Sequence, residues 1–224
     1  MEPDAFARHA HAAVDRIVEY WARLEERPVR AQVAPGDIDV QLDRAAPEQP
    51  DDAAAILADF EHVVMPGLTH WQHPRFFAYF PANASPPSVL AEILTAGIAA
   101  QCMLWQTSPA ATELETRVLD WVRQAIGLPT GFIGVIQDSA SSATLAALVA
   151  ARERALEGLG NAAGLAAGPA VTVYASAEAH SSIEKACRIA GIGSAGLRLV
   201  ATDDAGGMRA DALLGRITAD RRSE

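Results

Sequence analysis

From residue 131 onward the chain alternates short apolar, β-branched runs with helical stretches, and this alternation limits the fold more than any other feature. The runs fall near 133–137, 171–175 and 197–201, and the helical stretches near 141–157, 181–190 and 209–218. Helices of this length between strands call for parallel pairing through right-handed crossovers, which sets the class as α/β. Parallel strands need both faces covered. Two upstream stretches are candidate covers. "VLAEILTAGIAAQCML", residues 89–104, is apolar almost all round and predicts a buried helix. "SPAATELETRVLDWVRQAIGLP" predicts a helix opened by Ser108 and Pro109 and stopped by Gly127 and Pro129. Its buried stripe would be Leu114, Val118, Leu119, Trp121, Val122 and Ile126. A sheet of three parallel strands with two open edges is small for an α/β domain, so the expectation is that these residues are part of something longer.

The N-terminal part has a different organisation. Residues 4–26 and 51–64 read as amphipathic helices with no strand between them, so they are expected to pack on the main domain or on another subunit. Between them and the α/β region lies "THWQHPRFFAYFPANASPPS", residues 69–88, with one Trp, three Phe and one Tyr among prolines and small polar residues. It suits either a hydrophobic packing loop or an aromatic wall of a pocket or interface. The Gly/Ala stretch "GLGNAAGLAAGPA" at 158–170 follows a helix instead of a strand, which is the wrong context for a dinucleotide fingerprint, and it reads as a flexible loop.

Composition narrows the function classes. A formal net charge of −10 argues against a nucleic-acid partner. The apolar runs are too short or too interrupted to span a membrane. The N-terminus has neither a basic start nor an apolar core, so it is not a signal peptide. Cys102 and Cys187 lie far apart with no metal spacing, and both are expected to be packed thiols in a reducing cytoplasm. The histidines outside the α/β region (His9, His11, His62, His70 and His73) form no metal-binding pattern, and no metal is expected. Lys185 is the only lysine.

In open α/β sheets ligands sit beyond the carboxyl ends of the strands. Two such ends here carry polar residues. The first is "QDSASSAT", where Ser139, Ala140 and Ser141 open a helix. A helix N-terminus offers unpaired N–H groups and partial positive charge, and small residues keep that backbone approachable. Without a following lysine the turn suits one phosphate monoester more than a triphosphate, and equally suits an ordinary serine-rich cap. The second is "ASAEAHSSIEKA", where His180 precedes a helix. Its imidazole either lies against a planar ligand or moves protons, or it serves as a capping histidine. A phosphate cradle beside a flat-ring neighbour fits pyridoxal 5′-phosphate.

Four segments, "HPRFFAYFPANASPPSVLAEIL", "TSPAATELETRVLDWV", "GVIQDSASSATLAALVAAR" and "YASAEAHSSIEKACRIAGI", carry a resemblance. In that order they resemble the N-terminal half of the group II pyridoxal-phosphate-dependent amino-acid decarboxylases, nearest to the aromatic-L-amino-acid branch. The resemblance implies the N-terminal part of a type I aminotransferase-like fold. Residues 1–85 would be a helical N-terminal extension that clasps a second subunit in a homodimer, and 86–224 an incomplete cofactor-binding large domain of βαβ units. It implies that Ser139, Ala140 and Ser141 bind the cofactor phosphate. His180 would be the catalytic residue stacked on the pyridine ring. Trp71, Tyr79, Phe80, Pro81 and Ala82 would line the pocket of an amino-acid substrate.

Two departures from the family pattern stand out. Ala82 occupies a position where animal aromatic decarboxylases carry threonine. The family's cofactor-binding lysine and the aspartate paired with the pyridine nitrogen would lie beyond residue 224, and Lys185 does not match that lysine's motif. The expectation is a fragment or truncated product, inactive alone. It would represent either an aromatic amino-acid decarboxylase or a non-catalytic dimerising chain. A glutamate- or aspartate-type decarboxylase or an aldehyde-forming relative is the further alternative. The aromatic "FFAYFP" favours an aromatic substrate, since Arg75 adjoins the first Phe instead of the pocket-facing stretch.

Overall fold

The computed structural model describes residues 1–80 and 84–223. The chain divides into two compact units, Met1–Ala100 and Gln101–Glu224.

In the first unit, helix α1 (Pro3–Ala22) starts with proline in its first turn and runs into a 3₁₀ turn at Leu24–Glu26. Helix α2 (Ala53–Asp59) continues through a π turn, Phe60–Val64, into a 3₁₀ turn at Met65–Gly67. Between the two lies a cavity of about 480 Å³ lined by apolar groups of Ala13, Ile17, Tyr20, Leu57, Phe60 and Leu68. Helix α3 (Pro86–Ile98) is held at its start by a reciprocal cap. Ser88 N–H donates to Ser85 Oγ at 3.4 Å and Ser85 N–H donates to Ser88 Oγ at 3.1 Å. The expectation of a buried helix here is not met: α3 has no buried residue, and Ile98 is 72% exposed. Local capping suffices to form the helix, whereas burial needs a neighbouring surface that this unit does not bring to those side chains.

The second unit holds the α/β region. Helix α4 (Pro109–Ala125) forms where expected, but Ser108 makes no side-chain cap. The stripe on α4 is also corrected: Leu114, Trp121, Val122 and Ile126 are exposed, while Val118 and Leu119 are half-buried. Helix α5 (Ala140–Ala155) leads to a short α6 (Leu159–Ala163), so the Gly/Ala stretch is not a plain loop. Strand β1 (Val173–Ser176) then crosses through α7 (Ser182–Ile189) to β2 (Leu197–Val200), and α8 (Ala210–Ser223) follows. The two strands pair in parallel, with Tyr174 opposite Arg198 and Ala175 opposite Leu199. Buried Ala175, Ala186, Cys187, Ala190 and Val200 form the core of this βαβ unit.

The expected strand at 133–137 is absent. Residues 132–137 carry no strand assignment, and Ile133 is 95% exposed. A strand is defined by its ladder, and no described segment pairs with this one. Its backbone leans on α4 instead: Ile136 N–H donates to Glu115 Oε1 at 2.7 Å. A Cβ at Gly134 would meet Leu119 Cδ2 at 3.2 Å, which explains glycine at this close approach.

One carboxylate ties α8 to both strands. Asp220 Oδ2 accepts from Tyr174 Oη at 2.7 Å, and Asp220 Oδ1 accepts from Arg198 Nε at 3.0 Å. The Tyr174 hydroxyl, with Arg198 beside it, holds the Asp220 carboxyl below its ordinary range. Stability from this group is present above the unfolded carboxylate value, near ~3.9, and is lost as pH falls through the depressed folded value. The gap in thermal midpoint between the chain and D220N is therefore expected to be full at pH 7 and to close below about pH 4, followed by circular dichroism.

The two thiols also separate. Cys187 is 0% exposed and burial pushes its thiol up, whereas Cys102 is exposed, contrary to the expectation that both are packed. An aromatic disulfide reagent is expected to label Cys102 in the folded chain and Cys187 only after denaturation.

Candidate functional site

The residues singled out in the second unit stand at two helix N-termini. Ser139 is the N-cap of α5, with extended backbone at φ −154° and ψ 161°. Its Oγ accepts from Ser142 N–H at 3.2 Å and lies 3.0 Å from Ser142 Oγ. The Ser139 hydroxyl is thus engaged in starting the helix. Ala140 and Ser141 occupy the first turn, where N–H groups have no intrahelical acceptor. Ser141 is exposed. The turn therefore offers free backbone donors with only a methyl and a hydroxymethyl above them, a fit for one phosphate group.

His180 stands at the other N-terminus, four residues beyond the end of β1 and two before α7. Ser182 N–H donates to His180 Nδ1 at 3.2 Å, and Ser182 Oγ is 3.0 Å from the same nitrogen. A nitrogen that accepts a backbone N–H carries a lone pair, so the neutral ring holds its proton on Nε2. Ser182, itself buried, orients the imidazole while the histidine stays exposed. His180 lines a cavity of 370 Å³ together with Ser176, Ser181, Glu184, Ser194 and Leu199. The 139–141 turn does not line it.

α5 and α7 pack against each other. Arg152, in the last turns of α5, donates through Nη1 to Ala190 O at the end of α7, at 2.5 Å. This bond joins the C-terminal ends of the two helices. Lys185 lies exposed on α7. Among the described residues no group of three or more His, Cys, Asp or Glu side chains is placed to hold a metal.

The aromatic residues belong to the first unit. The Trp71 ring stacks on Phe76 at 5.1 Å and 27°, and on Tyr79 at 5.5 Å and 12°. Tyr79 has φ 56°, a left-handed backbone that a bulky side chain adopts only when its surroundings impose it. Tyr79 and Phe80 are almost fully exposed. Pro81 and Ala82, the other two expected pocket residues, lie outside the described residues. Sequence reasoning missed the two histidines beneath this loop, His70 and His73, which are 4% and 3% exposed. No local pattern in "HWQH" signals their burial, since His70 bonds to Tyr20 fifty residues away.

With this geometry in hand, comparison with known proteins decides the family. The pyridoxal-dependent decarboxylase conserved domain matches residues 35–223. The chain belongs to the pyridoxal-dependent decarboxylase family. It is 42% identical to phenylacetaldehyde synthase of Arabidopsis thaliana, over 91% of this chain and 42% of that protein. It is 39% identical to tyrosine decarboxylase 1 of Narcissus pseudonarcissus, over 98% of this chain and 44% of that protein. Among solved structures, Oryza sativa TDC with PLP and tryptamine superposes with a TM-score of 0.91 at 34% identity. That match covers 100% of this chain and 47% of the other. The chain thus spans less than half the length of these relatives. The fold is the N-terminal portion of the pyridoxal-phosphate-dependent decarboxylase fold, and the family's cofactor is pyridoxal 5′-phosphate.

The cap and the cradle can be separated by experiment. Replacing Ser139 by Ala removes the N-cap acceptor and is expected to cost about 1 kcal/mol in chemical denaturation. Replacing Ser141 by Ala is expected to stay within about 0.5 kcal/mol of the parent chain, because that hydroxyl has no structural partner among the described residues.

Proposed function

We propose that residues 1–224 supply the phosphate cradle and the ring-facing histidine for pyridoxal-phosphate-dependent decarboxylation of an aromatic L-amino acid. The observation that carries this reading is the pair of polar helix N-termini, 139–141 on α5 and His180 before α7, on two helices that pack together. The Arg152–Ala190 bond at their C-terminal ends supports a pair that runs the same way, which would leave both N-termini at one end.

In this reading the first-turn N–H groups of Ala140 and Ser141 hold the phosphate, and Ser139 keeps the turn in place. His180, fixed by Ser182 with its proton on Nε2, lies against the pyridine face and presents that N–H to the substrate side. The bound cofactor supplies an electron sink for the pair released as the carboxylate leaves. Lys185, the single lysine of the chain, is exposed on α7 and has no role in this reading.

Trp71, Tyr79 and Phe80 present flat apolar rings suited to an aromatic side chain. A named tyrosine decarboxylase and a structure holding tryptamine among the relatives support an aromatic substrate. An aldehyde-forming outcome is the second reading, favoured by the 42% identity to a phenylacetaldehyde synthase. The apolar cavity between α1 and α2, with exposed Phe6, Val18 and Ile56 in the same unit, supports residues 1–85 as a clasp on a second copy. No helix among the described residues is long and apolar enough to cross a membrane, and cytoplasmic location is part of this proposal.

The test is calorimetric titration of the chain with pyridoxine 5′-phosphate, which keeps the ring and the phosphate but lacks a reactive aldehyde. Binding is expected to require the phosphate and to weaken at least about tenfold in S141D, because a carboxylate on that turn repels the phosphate and competes for the same N–H donors. Equal affinity for unphosphorylated pyridoxine, or equal uptake by S141D, would overturn the cradle. Release of CO₂ from L-tyrosine or L-tryptophan by the chain alone is not expected.

A further inference from the structure

The aromatic loop does not rest on itself. Beneath it, His70 and His73 are buried and tied to the end of α1 and the segment that follows. His70 N–H donates to Val29 O at 2.9 Å, and Ala31 N–H donates to Thr69 Oγ1 at 3.3 Å. His73 N–H donates to His70 O at 3.0 Å, and Phe76 N–H donates to His73 O at 2.9 Å, so each histidine carbonyl starts the next turn of the loop. Arg75 N–H donates to His73 Nδ1 at 3.0 Å, and its Nη2 reaches Glu25 O at 3.3 Å. Among the described residues, the side-chain bond between α1 and this scaffold joins Tyr20 Oη and His70 Nδ1 at 3.0 Å, with ring centroids 5.5 Å apart. Trp71 is the next residue in the chain, and it carries the stack with Phe76 and Tyr79.

We propose that Tyr20 and His70 are positioning residues: their hydrogen bond fixes the backbone at His70, and with it the Trp71 indole, in the stack that holds Tyr79 in its left-handed conformation. The bearing of this on substrate rests on the reading above, in which that stack is the wall met by an aromatic side chain.

The surroundings of His70 favour the neutral ring, in which Nδ1 and Tyr20 Oη share one hydrogen, donated from either side according to the tautomer. The charged and titratable groups facing His70 are Arg27, His73 and Tyr20. Burial holds His70 below the ordinary histidine value, with Arg27 and then His73 adding to the effect. Arg27 also sits over the Tyr20 ring, 5.4 Å from its centroid. Arg27 Nε and His73 Nε2 are buried with no acceptor among the described residues, so the cluster presents donors and no carboxylate to welcome a proton on His70. A second ring proton would place a buried cation beside Arg27 at the base of the loop, with no carboxylate in the cluster to offset it. Because the folded value is depressed, the neutral form stabilises the loop above the unfolded histidine value, about 6.5, and that stabilisation is lost as pH falls through the folded value.

The test follows Trp71 alone, in a chain with Trp21, Trp105 and Trp121 replaced by Phe, by near-ultraviolet circular dichroism from pH 8 to pH 4. The stacked signal is expected to hold at neutral pH and to fall in one acid step. In Y20F the tie is gone, so the signal is expected to weaken at neutral pH, while the acid step remains because burial and Arg27 are unchanged. In H70N the amide oxygen can accept from Tyr20 but cannot titrate, so the signal is expected to persist and the acid step to vanish. Far-ultraviolet dichroism shows whether each variant folds, and Y20F carries the test if H70N does not. An unchanged Trp71 signal in Y20F at neutral pH, or an acid step in folded H70N like that of the parent, would overturn the proposal. No cofactor or amino acid is present, so a failed anchor and a failed decarboxylase reading give different results.

Discussion

The second unit depends on a parallel pair of strands that cannot be joined by a tight turn. Parallel pairing of β1 with β2 forces a crossover, and α7 is that crossover. The crossover has two consequences. It buries Ala186 and Cys187 against the strands, which supplies the core. It also places the end of β1 and the start of α7 beside each other, so the connecting residues from Ala177 to Ser181 stand at the carboxyl edge of the sheet with His180 among them. The Asp220 carboxylate completes the arrangement. Tyr174 and Arg198 are register partners, so their side chains rise on one face and one acceptor on α8 serves both.

How legible this was depended on the range of the interactions involved. The crossover was legible because its signals are local: β-branched runs at 171–175 and 197–201 flank a helix whose cap residues are adjacent in sequence. The helix after "QDSASSAT" was legible for the same reason, and Ser139 takes the N-cap. The run at 133–137 has the same composition but no ladder partner, and composition cannot report a partner's absence. Likewise the stripes of α3 and α4 gave the helices correctly and their burial wrongly, because periodicity says which face is apolar and not what lies over it. At the candidate site, the types of residue at 139–141 and 180 were readable, and so were Trp71 and Tyr79. The buried histidines were not, because His70 is satisfied by a tyrosine fifty residues away, and no local pattern encodes that bond.

The two histidine environments show how one side chain serves opposite ends. His180 is exposed, and its Nδ1 is occupied by Ser182 of the same turn, which leaves Nε2 to face outward. His70 is buried, and its Nδ1 is occupied by Tyr20 of a distant helix, which turns the ring into a strut. At His180 the backbone donor to Nδ1 sets the tautomer, whereas the Tyr20 hydroxyl can meet either tautomer of His70. The rest of the ring meets open space at His180 and packed protein at His70.

The same contrast accounts for the strained residue. A tyrosine with positive φ costs on the order of 1 kcal/mol or more and persists only where its surroundings over-determine it. Around Tyr79 the restraint comes from Trp71, whose ring lies nearly parallel at 12°. Trp71 is in turn held through the peptide of His70, which is bound on its backbone side to Val29 and on its ring side to Tyr20. Strain at the exposed tip is thus balanced by burial of His70 and His73 at the base. Rings already held parallel have less side-chain entropy left to lose, which is what the proposed aromatic wall requires.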